Sequence, residues 1–68
     1  MLRIKLFCAN HEAGQTMRDF AQAVNMAGGW IDTVAHCPRT RNYAISVEGC
    51  EIGELADCAK NLDFDNLT

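Results

Sequence analysis

Residues 2 to 8 alternate strictly, with Leu2, Ile4, Leu6 and Cys8 on one side and Arg3, Lys5 and Phe7 on the other. A period of two with one polar face predicts a half-buried strand. Beyond Asn10, a good helix N-cap, the residues Ala13, Met17, Phe20, Ala21, Val24 and Ala27 recur at spacings of three and four and predict one apolar helical stripe. Thr16 offers a second start, because Thr16-Met17-Arg18-Asp19 fits a capping box and Gly14 weakens the turn before it. Gly28-Gly29 ends the helix, since glycine takes the left-handed conformation at no steric cost.

From Trp30 to Cys37 the residues are β-prone but two alternations compete. Either Ile31, Thr33, Ala35 and Cys37 or Trp30, Asp32, Val34 and His36 could point inward; the first set is expected to. Pro38-Arg39-Thr40-Arg41-Asn42 is a polar connector, and Tyr43, Ile45 and Val47 then alternate with Ala44, Ser46 and Glu48, which reads as the second arm of a hairpin. After Gly49, the residues Ile52, Leu55, Ala56, Ala59 and Leu62 form a second helical stripe, with Glu51 and Glu54 near its N-terminus, where the helix dipole favours anions. Residues 63–68 are expected to be a short acidic tail.

The expected order is β-α-β-β-α. A right-handed crossover sets the first two strands parallel, and the hairpin adds an antiparallel third. The expected fold is therefore α+β, a two-layer sandwich of a three-stranded mixed sheet with two helices on one face. Its core is expected to hold Leu2, Ile4, Leu6, Phe20, Val24, Ile31, Ile45, Val47, Ile52, Leu55 and Leu62, leaving Arg3, Lys5, Phe7 and Trp30 on the open face. No repeat, linker or low-complexity stretch interrupts residues 1–68, which read as a single domain and as a whole short chain with no appended domain.

Composition narrows the function classes. The chain has 68 residues, 49% apolar and 22% charged, the balance of a globular domain and not of a disordered one. At this length only about 60% of the chain's surface is hidden on folding. No stretch approaches the ~20 apolar residues of a membrane span, and the opening residues alternate charge with hydrophobe, so a cytoplasmic protein with no membrane role is expected. Four cysteines (Cys8, Cys37, Cys50, Cys58) would permit three disulfide connectivities in a secreted protein; without an export signal, reduced and buried thiols are the expected state.

The net charge of −3 is unevenly spread. Residues 1–47 carry five basic and three acidic side chains, whereas residues 48–68 carry Glu48, Glu51, Glu54, Asp57, Asp63 and Asp65 against Lys60 alone. An acidic end is a poor companion for phosphate backbones, so direct nucleic-acid binding is disfavoured apart from a local site at Arg39 and Arg41. The acids fit a basic protein surface, or serve simply as a solvated helix face.

Two chemistries compete with a purely interactive role. Cys8-Ala9-Asn10-His11 sets a thiol and an imidazole three apart at a strand end leading into a helix N-terminus, where the dipole lowers a thiol's pKa. A closed zinc site needs two more ligands, and His36-Cys37, Cys50 and Cys58 do not form a second metal-binding pair. With His11 as base, Cys8 could be a nucleophile, yet no residue orients His11 and the chain has little volume for the ~300 Å³ pocket a substrate needs. The glycines match no phosphate-binding loop. No enzyme activity, cofactor or resident metal is expected.

On Cys8 and His11 and on the element order, the layout resembles the heavy-metal-associated domains of copper chaperones, which carry a metal-binding pair in the first strand-to-helix loop. His11 stands here where that family has its second cysteine, and no final strand is read after Leu62. In size and style the chain is also similar, as a class and without a shared motif, to the small phage-encoded inhibitors of bacterial defence, anti-CRISPR proteins among them. That similarity implies a protein-binding inhibitor whose acids Glu51, Glu54, Asp57, Asp63 and Asp65, with Arg39 and Arg41, meet a larger host protein or nucleoprotein complex. The alternative is a metal-binding or thiol-active domain on Cys8 and His11. A third reading is a homodimer formed along the free sheet edge.

Overall fold

Strict alternation at the start of the chain does produce a strand. The computed structural model describes residues 1–8 and 13–68, in the order β1 (Leu2–Leu6), α1 (Ala13–Met26), β2 (Trp30–Cys37), β3 (Asn42–Glu48), α2 (Ile52–Cys58) and β4 (Phe64–Asn66). β1 stops at Leu6, two residues short of expectation, and the Phe7 N–H donates to the Asp63 carbonyl just ahead of β4. The expected cap at Asn10 lies outside the described residues. The chain is helical from Ala13, so Thr16 lies within α1 and not at its start.

Glycine closes α1 as expected, through a Schellman turn. The Gly29 N–H reaches back to the Val24 carbonyl and the Gly28 N–H to that of Asn25, with Gly28 at φ +88°. Along α1 the buried stripe runs through Phe20, Ala23 and Val24, while Ala21 is exposed. In α2 it is likewise Leu55 and Ala59 that are buried and Ala56 that is exposed. Periodicity misassigns Ala21 and Ala56 because a small residue beside a stripe carries little hydrophobic signal of its own.

The sheet differs from expectation in two respects. Among the described residues it has four strands in the order β2-β3-β1-β4, and every neighbouring pair is antiparallel. β1 and β2 do run the same way, but β3 lies between them, so no parallel ladder forms. The expected acidic tail supplies the fourth strand. Phe64 lies opposite Leu6 on the helix side and meets Phe20 edge-on at 6.1 Å, while Asp65 lies opposite Lys5 on the other side. Beyond β4, the Leu67 N–H donates to the Arg3 carbonyl and the Thr68 hydroxyl accepts from the Arg3 N–H. This β-α-β-β-α-β sheet is the split β-α-β, or ferredoxin-like, arrangement, an architecture that says nothing by itself about function.

One face of the sheet makes the core. Ile4 and Leu6 of β1 and Ile45 and Val47 of β3 bury against Phe20, Ala23 and Val24 of α1 and Leu55 and Ala59. Leu2, Ile31, Ile52 and Leu62 pack on this cluster half-buried instead of lying within it. Both helices thus cover one face.

The competing alternations in β2 are resolved by a bulge. Ile31 lies opposite Val47, but the register then slips by one residue, so that Val34 faces Ile45 and His36 faces Tyr43. Ile31, Val34 and His36 therefore lie on the helix side, and Thr33, Ala35 and Cys37 on the open side, which overturns the expected inward set beyond Ile31. Each alternation is right for one part of the strand.

Candidate functional surfaces

Three surfaces hold the residues whose placement a core does not explain. The first is the exposed side of α2. Glu51 is its N-cap and Glu54 its third residue; the two close a capping box in which the Glu54 carboxylate accepts from the Glu51 N–H at 3.3 Å. The helix forms there because Gly49, at φ +86°, turns the chain out of β3, and because Ile52, Leu55 and Cys58 face the core. Glu51, Glu54 and Asp57, three apart, are left exposed in a row along the opposite side. Asp63 is exposed at the far end of this segment. Asp65 does not join them, since pairing with Lys5 carries it to the open face of the sheet. The signal that separates it is the brief alternation of Phe64, Asp65 and Asn66.

Between the two helices lies an open groove of about 330 Å³ lined by Asp19, Gln22, Met26, Cys58, Asn61 and Leu62 with alanines beneath. Asp19 accepts a hydrogen bond from the Gln15 amide at 2.9 Å, and Met26 is 69% exposed. No sequence pattern marks these residues as a group, because the groove exists only where the helices meet.

The open face of the sheet is the second surface. Small side chains of Thr33, Ala35, Ala44 and Ser46 leave a shallow depression of about 150 Å³ bordered by Arg3 and Leu67. Lys5 sits over the Phe7 ring, 5.2 Å from its centre. Trp30 is 60% exposed, yet one edge of its ring covers Gly49, where a side chain would collide with it.

The third surface is the hairpin that carries Arg39 and Arg41. Residues 38–41 link Cys37 to Asn42, the Arg41 N–H donates to the Cys37 carbonyl at 2.8 Å, and Arg41 takes φ +60°. On the helix side of this hairpin His36 stacks on Tyr43 at 4.7 Å. Cys37 is exposed, and its thiol is pulled below the usual range: the Thr40 hydroxyl and N–H, then the Arg39 N–H, hydrogen-bond the sulfur, and Lys5 adds a favourable charge. Arg39 and Arg41 share this end of the sheet with Asp63, whereas Glu51 starts from the other end.

The thiols depart from the expected burial: Cys37 is exposed and Cys8, Cys50 and Cys58 are half-buried. Burial pushes the Cys8 thiol up. His11, its expected companion, lies outside the described residues. Cys50 is also raised, mainly by burial and further by Glu54 and Cys58. Among the described residues no three His, Cys, Asp or Glu side chains gather as a metal site would require, and no helix is long and apolar enough to cross a membrane.

No protein-family model, no curated protein and no solved structure matches this chain.

Proposed function

We propose that this chain is a protein-binding module that occludes a basic surface of a larger protein or nucleoprotein complex, in the manner of phage anti-defence inhibitors. The observation that carries the reading is the row Glu51, Glu54 and Asp57, exposed along one side of α2 in a segment where six acids face a single lysine. Such a row, held on a short capped helix, offers its charges with little ordering cost. Lysine and arginine residues that bind phosphates are a matching target, and charge complementarity would give fast, salt-sensitive association. Arg39 and Arg41 belong to the same reading as a second contact, at the hairpin. Acting by occupancy, the module works inside the cell beside its target and needs no cofactor.

The test must spare the fold. Glu54→Gln keeps the capping-box acceptor, and Asp57→Asn removes a charge at an exposed position. Combined with Glu51→Gln, these changes should weaken capture of a partner, identified by mass spectrometry after pull-down, and flatten the dependence of capture on salt. Capture of unchanged strength and unchanged salt dependence refutes the acidic row as the contact.

A further inference from the structure

We propose that the groove between α1 and α2 seats an arginine side chain of the basic partner, with the guanidinium on Asp19 and the aliphatic stem along Met26 and Leu62. The groove holds about 330 Å³. Its polar groups come from Asp19, Gln22 and Asn61, and its apolar wall from Met26 and Leu62. Ala23 and Ala59 are buried beneath them, and their small side chains leave the trough open. Asp19, Gln22 and Met26 stand three and four apart on α1 and so share a face. Asp19 and Met26 are two turns apart, ~10 Å, which puts a carboxylate at one end of that face and a thioether at the other.

The charge of the lining names the occupant's sign. It carries one carboxylate and no cation. Arg18 and Lys60, next in the chain to Asp19 and Asn61, are exposed and do not line it. One oxygen of Asp19 accepts from the Gln15 amide at 2.9 Å, which steadies the carboxylate. The other has no hydrogen-bond partner among the described residues, nor do the Gln22 and Asn61 amides. Asp57 of the acidic row precedes Cys58 of the groove wall, so row and groove adjoin, and the net charge of −3 adds to the attraction for a cation.

The mixture of groups selects arginine. A guanidinium is a rigid fork of N–H donors that serves a carboxylate oxygen and amide oxygens together, whereas an ammonium is a compact, strongly hydrated point charge. The stem of an arginine covers apolar wall while its head keeps to the polar end. A purely apolar side chain would desolvate the Asp19 carboxylate and give it no partner. Row and groove then divide the contact: Glu51, Glu54 and Asp57 attract a basic surface, and the groove fixes its position through one side chain. That the cation belongs to a protein rests on the function proposed above; the affinity of the groove for it does not.

The experiment titrates the isotope-labelled full chain with acetyl-arginine methylamide at physiological salt, followed by NMR. The lysine and citrulline analogues are run in parallel, citrulline having arginine's shape without its charge. Saturable shifts of the Gln22 and Asn61 side-chain amides are expected, with a dissociation constant on the order of 1 mM for the arginine probe. Lysine should bind more weakly and citrulline not measurably. Asp19→Asn, at an exposed position and with the oxygen that accepts from Gln15 retained, should weaken the arginine probe about threefold to tenfold. Glu51→Gln, Glu54→Gln and Asp57→Asn together should change it by less than about twofold, because salt screens their more distant charges. A probe that responds to those three substitutions and not to Asp19→Asn sits on the acidic row, which overturns the groove and leaves the proposed function standing. A probe held at Asp19, with partner capture indifferent to the row, supports the groove and refutes the row. Lysine or citrulline binding as tightly as arginine, no saturable shift, or shifts centred away from Gln22 and Asn61 would each overturn the inference.

Discussion

A single methyl group added at Gly29 should remove a large share of the fold's stability. Gly29 lies where the Schellman turn of α1 hands the chain to β2, and a Cβ there would sit 2.5 Å from the Glu48 carbonyl oxygen and 2.9 Å from the Cys50 sulfur. Glu48 pairs with Trp30 at the end of the β2–β3 ladder, so its carbonyl cannot retreat without loosening that rung. Overpacking of this kind costs ~1–3 kcal/mol, and the backbone origin of the clash puts Gly29→Ala at the upper end, about 2–3 kcal/mol. At ~0.05–0.15 kcal/mol per residue, a chain of this size is stable by roughly 3–10 kcal/mol in all. With ~4–8 °C of melting temperature per kcal/mol, Gly29→Ala should melt about 8–24 °C lower. Gly53→Ala is the control. It adds the same methyl within α2, where nothing lies within 4 Å, and should gain ~0.5–1 kcal/mol from helix propensity. Thermal and urea unfolding followed by circular dichroism would measure both. If Gly29→Ala melts with the native chain, or if the two substitutions shift stability in the same direction, the close approach at Gly29 does not constrain the fold.

Alkylation with iodoacetamide under native conditions should modify Cys37 first, because it is exposed and its thiolate is stabilised, while Cys8 and Cys50 react slowly. The folded state favours the Cys37 thiolate, so its reaction rate should rise at a lower pH than that of an unperturbed thiol, and Thr40→Val should move the profile back up; peptide mapping across a pH series measures this. Phe64→Ala should cost about 2 kcal/mol, less than a fully buried phenylalanine, by removing the edge contact to Phe20. Its mark should be faster amide exchange at Phe7 and Leu67, whose N–H groups bond across that margin of the sheet, with the β2–β3 hairpin less affected.

Elements with a strong local period are legible in the sequence. β1, α1, β3 and α2 each repeat an apolar residue at two or at three to four, and the glycines that stop α1 do so through their own backbone freedom. Where local signals are weak or double, periodicity misleads. β4 is three residues with one aromatic, too short for a period, and exists because Phe64 finds Leu6 and Phe20 across the core edge. β2 carries two alternations because a bulge joins them, and its position is set by the partner strand's register.

The candidate surfaces divide in the same way. The acidity of the last third of the chain, and the row it forms on α2, follow from composition and helical period, as does the expectation of an interacting protein. The departure of Asp65 from that row, the burial that raises the Cys8 thiol, and the hydrogen bonds that lower the Cys37 thiol depend on which groups approach in space. Periodicity records which side of an element is apolar, because burial acts on each side chain separately. Strand order, register and the edge left open depend on contacts between residues far apart in the chain, where no single stretch of sequence holds both partners.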